Sequence, residues 1–576
     1  MTSLERPTWR SAPVVLWVLA LTVLVLAPLA RPGYALLRDM VATPRQYLTD
    51  DAWGAGPALP RAVPVDAVLA VLTSILDGAL VQRVALAAAL ILAGLGAARL
   101  AGGSTSVSLG AATLMVWNPY VAERLLMGHW TLLLAYSTLP WVAAACVDLR
   151  AGRAAAAWAV LGWTAIAALS PGGGLLVLLL VAPLLLWPGS AVTGRQRLAV
   201  LGGWLVLNAP WWLAGLLHPS AGRSDPDGVL VFAAQADTSL GVLGSLLGLG
   251  GVWNSDAVPP SRAESPAAVW TLVVLALAVA GFGELRRRWG PGAAALAFSA
   301  GLSVLLAGWG AWHPASLERL VLEFPGAGLL RDGHRLVAPL AVLLAVAAPW
   351  GAHRVGANLV GRSGRIALAT LVVLGPVVVM MDLAVGALGA VAPVRFPAGW
   401  DQVRTELAKD PGRGDVVSLP WQPLRRYDWN DGRPVLDPAA RYFPAEVVTS
   451  SDLTVQTRLG QITVEGEDAR AAAVGHALDS GRPAVESLPP LGVRWLLVSR
   501  ASPGEVPAGL LTGAARVVAQ DGIELWRLPT WTEGTSTGRQ RHADVLLVTY
   551  AAAFTLALGS WTMCARVRAR PASIRR

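Results

Sequence analysis

The chain has 576 residues, of which 54% are hydrophobic and only 14% charged, and its formal net charge is +9. Repeated apolar runs near bilayer length make it a polytopic helical membrane protein rather than a string of soluble domains. The runs are continuous instead of alternating, which excludes a membrane β-barrel. The two cysteines, Cys146 and Cys564, both fall inside apolar runs, so neither a disulfide framework nor thiol chemistry is indicated.

In chain order, a short basic start with Arg6 and Arg10 precedes the first span, Pro13 to Leu29, read as a retained anchor and not a cleaved signal. A long polar loop follows, residues 31–66, with Asp39, Asp50, Asp51 and several arginines. The apolar stretch Ala67 to Val81 is interrupted by Asp77 and Gly78 and reads as an interfacial or re-entrant helix. The second span is then Val84 to Leu100. Further spans are expected at about 105–117, 130–147, 154–169, 174–187, 198–217, 267–283, 292–309, 336–351, 366–390 and 544–565, about twelve in all.

Placing the amino terminus in the cytoplasm puts every short arginine-rich loop, and the tail Arg566 to Arg576, on the cytoplasmic side. The segments so assigned carry about +15 and the rest about −6. The positive balance is therefore a topology signal. It gives no support to nucleic-acid binding, which needs the charge gathered on one accessible face. All sizeable loops then face outwards, including Asn118 to His129, His218 to Pro266, Gly310 to Arg335 and a hydrophilic insert before the last span.

The fold expected is thus an all-α polytopic membrane protein carrying a small extracytoplasmic α/β domain. Its parts are a membrane domain 1–391, an α/β domain 392–543, and a final helix with basic tail, 544–576. Within the insert, Gly399 to Asp410 and Glu467 to Ser480 have helical character. Asp415 to Leu419 and Val493 to Ser499 read as strands, and Ala515 to Ala519 with Ile523 to Leu528 as a hairpin. Trp421, Tyr427, Trp429, Tyr442 and Phe443 suit either a core or stacking on sugars.

Several polar residues lie where lipid-facing chemistry would place them. Asn118-Pro119 starts a short helix that carries Glu123 and Arg124, and His129 follows beside Trp130. Arg331, Asp332, His334 and Arg335 form the densest polar cluster outside the insert. Asp382 is the clearest acid inside an expected span, and either a structural role or a place in the acceptor cavity fits it.

The stretches WNPYVAERLLMGHWTLLLAYSTLPW (Trp117 to Trp141) and FPGAGLLRDGHRLVAPLAVLL (Phe324 to Leu344) resemble segments of GT-C glycosyltransferases, in particular the actinobacterial members that build cell-wall arabinan and mannan. The layout agrees: a first span, a long external loop with an early acid, many spans and a late external α/β domain. The resemblance implies an integral membrane enzyme of the cytoplasmic membrane that transfers arabinofuranose or mannose from a polyprenyl-phosphate donor to a cell-envelope glycan or glycolipid. Direct displacement with inversion is implied.

Such a displacement needs a carboxylate to take the acceptor's hydroxyl proton and cations to hold the departing phosphate. Asp39 matches the family's first-loop aspartate and is the candidate base, while Arg38, Arg331, His334 and Arg335 are candidates for the donor phosphate. Glu123, His129 and Asp332 are candidates for an acceptor or metal site; no cofactor is read, although a divalent cation is compatible. A lipid-linked sugar transporter stays open, with Asn208 and Asp382 as its few mid-span polar groups, as does a catalytically silent envelope scaffold of the same fold.

Overall fold

The computed structural model describes residues 8–218, 224–358, 362–410, 414–457, 460–532 and 537–569. Arg6 and the tail beyond residue 569 lie outside the described residues. Each of the twelve expected spans falls on a helix, from Ala12–Leu26 and Gly78–Ala101 to Ala338–Asn358, Arg362–Val379 and Thr537–Ala569. Among the described residues, eight helices are long and apolar enough to cross a membrane, or nine if a bent pair counts as one span. The chain is a multi-pass membrane protein.

Three of the twelve are short: Thr105–Val116 and Ala156–Ala167 have 12 residues each, and Pro171–Leu186 has 16. A helix of 12 residues rises only about 18 Å, well under the hydrocarbon thickness. Local sequence explains their ends. Asn118-Pro119 and Ser170-Pro171 each stop one helix and start the next, with Asn118 and Ser170 as caps for Val121 N and Gly173 N.

Two expectations for polar residues in apolar runs change. Ala67 to Val81 is not one interfacial helix. A short helix, Val65–Thr73, ends first, and the span begins at Gly78 because Asp77 Oδ1 accepts from Ala79 N at 2.9 Å and caps it. Gly78 is needed here, since a Cβ would lie 1.9 Å from the Thr43 carbonyl oxygen of the first loop, which crosses the helix start. Asp382 is likewise not within a straight helix. The chain bends by 65° between Ser363–Val379 and Met381–Leu388, and Asp382 sits on that bend, accepting from Ser261 N and Oγ at 2.8 Å each.

The insert follows its sequence pattern closely. Its five-stranded sheet has the order Ala515–Gln520, Ile523–Arg527, Val493–Ser499, Asp415–Leu419, Val447–Val448, antiparallel through the first three strands and parallel from there on. Side chains alternate between two cores. Val416, Trp495, Leu497 and Leu525 pack with Trp400, Val403 and Leu407 of the helix Ala398–Ala408. Val417, Leu419, Leu496 and Val498 pack with Ala471, Val474 and Leu478 of the helix Ala469–Asp479. Tyr427, Tyr442 and Phe443 are buried in the first core, with Phe443 stacked on Trp400 at 5.4 Å, so these aromatics serve packing and not a sugar surface.

The loop after the first span joins the two parts. Tyr34–Ala35 pairs antiparallel with Pro393–Val394 at the insert's edge. Ion pairs Asp66–Arg441 at 3.1 Å and Glu467–Arg331 at 2.6 Å tie the insert to the loops of the membrane domain.

Candidate functional site

The site is built around the eight-residue helix Pro119–Leu126, which buries its own charges. Glu123 and Arg124 are both fully buried. A buried guanidinium is tolerable only when neutralised and hydrogen-bonded, and Arg124 has both provisions. Its Nη1 and Nη2 donate to the two carboxylate oxygens of Asp332 at 2.9 and 3.2 Å, the fork geometry that favours arginine over lysine. The same two nitrogens also donate to His129 Nδ1, at 3.0 Å, and to His334 Nδ1. Burial works to raise the pKa of Asp332, but the charges of Arg124 and Arg335 prevail and hold its carboxyl well below the usual range.

From Arg124 the network runs in two directions. Inward, His334 Nε2 lies 3.2 Å from the Leu249 carbonyl and 3.4 Å from Glu123 Oε2, which accepts from Val252 N at 3.0 Å. Asp237 and Arg262 complete this end with bonds of 2.9 and 3.0 Å. Burial first, and then the charge of Asp237, push the Glu123 carboxyl well above its ordinary range.

Outward, His129 Nε2 lies 3.0 Å from Asp39 Oδ2. Although Asp39 sits deep among neighbouring atoms, 49% of its side chain is open to water, in contrast to the closed inner acids. Desolvation opposes its charge, but the hydrogen bond from His129 and the nearby charges of Arg441 and Arg61 outweigh that, and its pKa is lowered. Asp39 is thus a carboxylate at neutral pH with one oxygen held and room for a ligand at the other.

The backbone beneath Asp39 is fixed from both sides. Arg38 has φ +47°, a conformation costly for a residue with a side chain, which persists where surroundings over-determine it. They do so here. Its N–H donates to Pro434 O at 2.6 Å, its carbonyl accepts from Leu436 N at 2.9 Å, and its Nη1 donates to Leu126 O at 2.7 Å. On the other side Asp39 N donates to Met127 O at 3.3 Å, and Gly128 lets the turn come close, since a Cβ there would lie 2.3 Å from Leu37 O and 2.8 Å from Asp39 N.

The structure therefore brings Asp39, Glu123, His129, Asp332, His334 and Arg335 into one network. Arg335 joins it by Nε, 3.4 Å from Asp332 Oδ2. Arg331 lies elsewhere, donating to Glu467 and to the Asp225 carbonyl. Full burial takes His334 out of reach of a ligand. Asp50 and Asp51 occupy a short helical turn, Asp50–Trp53, where Asp51 N donates to Glu446 Oε1 at 3.2 Å. A metal role for Glu123, His129 and Asp332 does not fit: the cation among them is Arg124, and among the described residues no three His, Cys, Asp or Glu side chains converge as metal ligands. Asn208 is also engaged, accepting from Trp211 Nε1 and donating to Trp204 O.

Sequence reasoning missed Asp237 and Arg262, which lie far apart in a long loop with no local motif, and the insert's backbone at Pro434–Leu436. Below the inner network is an apolar cavity lined in part by Leu114, Trp117, Leu247, Trp270, Leu344 and Met380, with Leu249 and Arg262 at its edge.

The chain can be superposed on the arabinofuranosyltransferase AftD from mycobacteria over 92% of its own length, with TM-score 0.54 at 15% identity. The R1389S mutant of AftD, class 2, gives a TM-score of 0.53 at 17% identity over 90% of the chain. The chain shares its fold with these structures. The chain spans 41% and 42% of the length of these two structures, less than half of either. No protein-family model matches the sequence, and no curated protein matches it.

Proposed function

We propose that this protein is a membrane glycosyltransferase of the cell envelope, transferring a sugar of the arabinofuranose or mannose class from a polyprenyl-phosphate donor to a glycan or glycolipid on the external face. The observation that carries this reading is Asp39: an ionised carboxylate with half its side chain open, anchored by His129 on a fold shared with an arabinofuranosyltransferase. In this role Asp39 takes the proton of the acceptor hydroxyl as that oxygen attacks the anomeric carbon, and the phosphate departs with the electrons of the broken C–O bond.

Arg38 and Arg335 hold the departing phosphate; Arg335 is partly exposed, Arg38 is mostly buried with Nη1 on the Leu126 carbonyl, and both adjoin the network that carries Asp39. Arg331, engaged with Glu467, ties the insert down instead. The apolar cavity suits the donor's isoprenoid chain, as most of its walls are hydrocarbon and aromatic, with Asn118, Ser261, Arg262 and Thr271 as the polar exceptions.

The test is transfer by the purified protein from a panel of polyprenyl-phosphate pentoses and hexoses, with lipid movement across vesicles followed in parallel. Sugar transfer from at least one donor is expected. Lipid movement with no transfer from any donor would replace the enzyme by a transporter, and neither activity with donor binding retained would favour the scaffold.

A further inference from the structure

We infer that His129 is a positioning residue for the proposed base, locked by Arg124 into the Nε2–H tautomer so that it donates to Asp39. The inference rests on the reading of Asp39 as general base. It follows from what each group can do. An arginine side chain has five N–H donors and no acceptor, so at the 3.0 Å contact between Arg124 Nη1 and His129 Nδ1 the imidazole nitrogen must accept. Nδ1 then carries no proton, and the ring proton is on Nε2, the atom 3.0 Å from Asp39 Oδ2.

Arg124 is itself immobilised by two bonds to Asp332 and a third contact at His334, all buried. The orientation of the imidazole is therefore set from the protein interior and transmitted to a carboxylate whose side chain is half open to water. His129 Nε2–H holds Oδ2 of Asp39 and leaves Oδ1 for the acceptor hydroxyl, whose proton Oδ1 takes. The ring neither gains nor loses a proton in this step. Its contribution is aim, and a misplacement of about 1 Å costs on the order of 10²-fold in rate.

This role differs from a merely structural one in which His129 exists to satisfy Arg124, and three substitutions separate them. His129→Asn retains an acceptor near the place of Nδ1 but is too short to reach Asp39. His129→Gln retains a donor near the place of Nε2. His129→Ala retains neither. Steady-state transfer should show His129→Gln within a few-fold of the native protein, with His129→Asn and His129→Ala both lower in kcat by on the order of 10²-fold and with KM for the donor little changed. Native-like kcat in the Asn or Ala variant, or a Gln variant as slow as the others, would overturn the inference.

Asp39→Asn is assayed in the same series. If it turns over at the native rate, the base reading falls and the positioning role falls with it; if it is slow while all three His129 variants are fast, only the positioning role falls. A measurement free of activity is the ¹⁵N spectrum of histidine-labelled protein, with the His129→Gln variant providing the assignment. Protonated Nε2 and bare Nδ1 are expected, and a proton found on Nδ1 would refute the lock.

Discussion

The two ends of the polar network contain the same residue types in opposite circumstances. At the inner end Glu123 and Asp237 are buried with Arg262, and burial first, then the charge of Asp237, pushes the Glu123 carboxyl well above its ordinary range. At the outer end Asp39 shares a single imidazole, keeps its charge, and leaves half its side chain to water. An acid enclosed with its partners rigidifies the loops that meet around it; an acid held by one oxygen at a surface can take a proton from a ligand. The residue type does not separate them, but access does.

The largest effect that would break this comparison is at the shared centre. Arg124→Met leaves Asp332 buried with only the more distant Arg335 and removes a donor from both imidazoles, which should cost about 3–5 kcal/mol of stability. Thermal unfolding in detergent reads this directly. A melting point equal to that of the native protein would show that the network is not held by its central cation.

A smaller loss is expected from Asp237→Asn, which weakens the inner pair without emptying it. About 1–3 kcal/mol should be lost, with turnover per folded molecule close to native. If turnover falls instead while the melting point holds, the inner end has a chemical role and the contrast between the two ends fails.

The smallest effect concerns the interface that pins the first loop to the insert. Burial first, and then the charge of Asp51, raise the pKa of Glu446 well above the ordinary glutamate range. An acid with a folded pKa above its unfolded one contributes stability that is complete below the unfolded pKa and disappears as pH rises through the folded pKa. The native protein should therefore lose stability as pH climbs above about 4.5, and Glu446→Gln should lose less of it, by about 1 kcal/mol at the alkaline end. Melting points of the two proteins from pH 5 to pH 8 test this; parallel curves would mean that Glu446 and Asp51 do not share the interface as described.

Much of this was legible in the sequence, for identifiable reasons. The insert's strands Asp415–Leu419 and Val493–Ser499 were bounded by turns and patterned by burial, and they fall where the pattern puts them. His129, Asp332 and Arg335 were visible because short loops between apolar runs leave charged residues conspicuous. Asp237 and Arg262 were not, since they meet only after a loop folds back by 25 positions. The span start at Gly78 was missed because Asp77 reads equally as an interruption and as a cap until its partner Ala79 N is seen. Arg38's left-handed backbone has no sequence signal at all. It is imposed by Pro434 and Leu436, nearly four hundred positions away.

The central claim is that Asp39 accepts the acceptor's proton, and single-turnover sugar transfer by Asp39→Asn tests it most directly, on protein whose melting point and donor binding match the native ones. Asparagine keeps the size of the side chain and an oxygen for His129 but is no base, so the rate of the chemical step should fall by about 10²–10⁴-fold with donor affinity unchanged. A variant that binds the donor and transfers its sugar at the native rate would contradict the account.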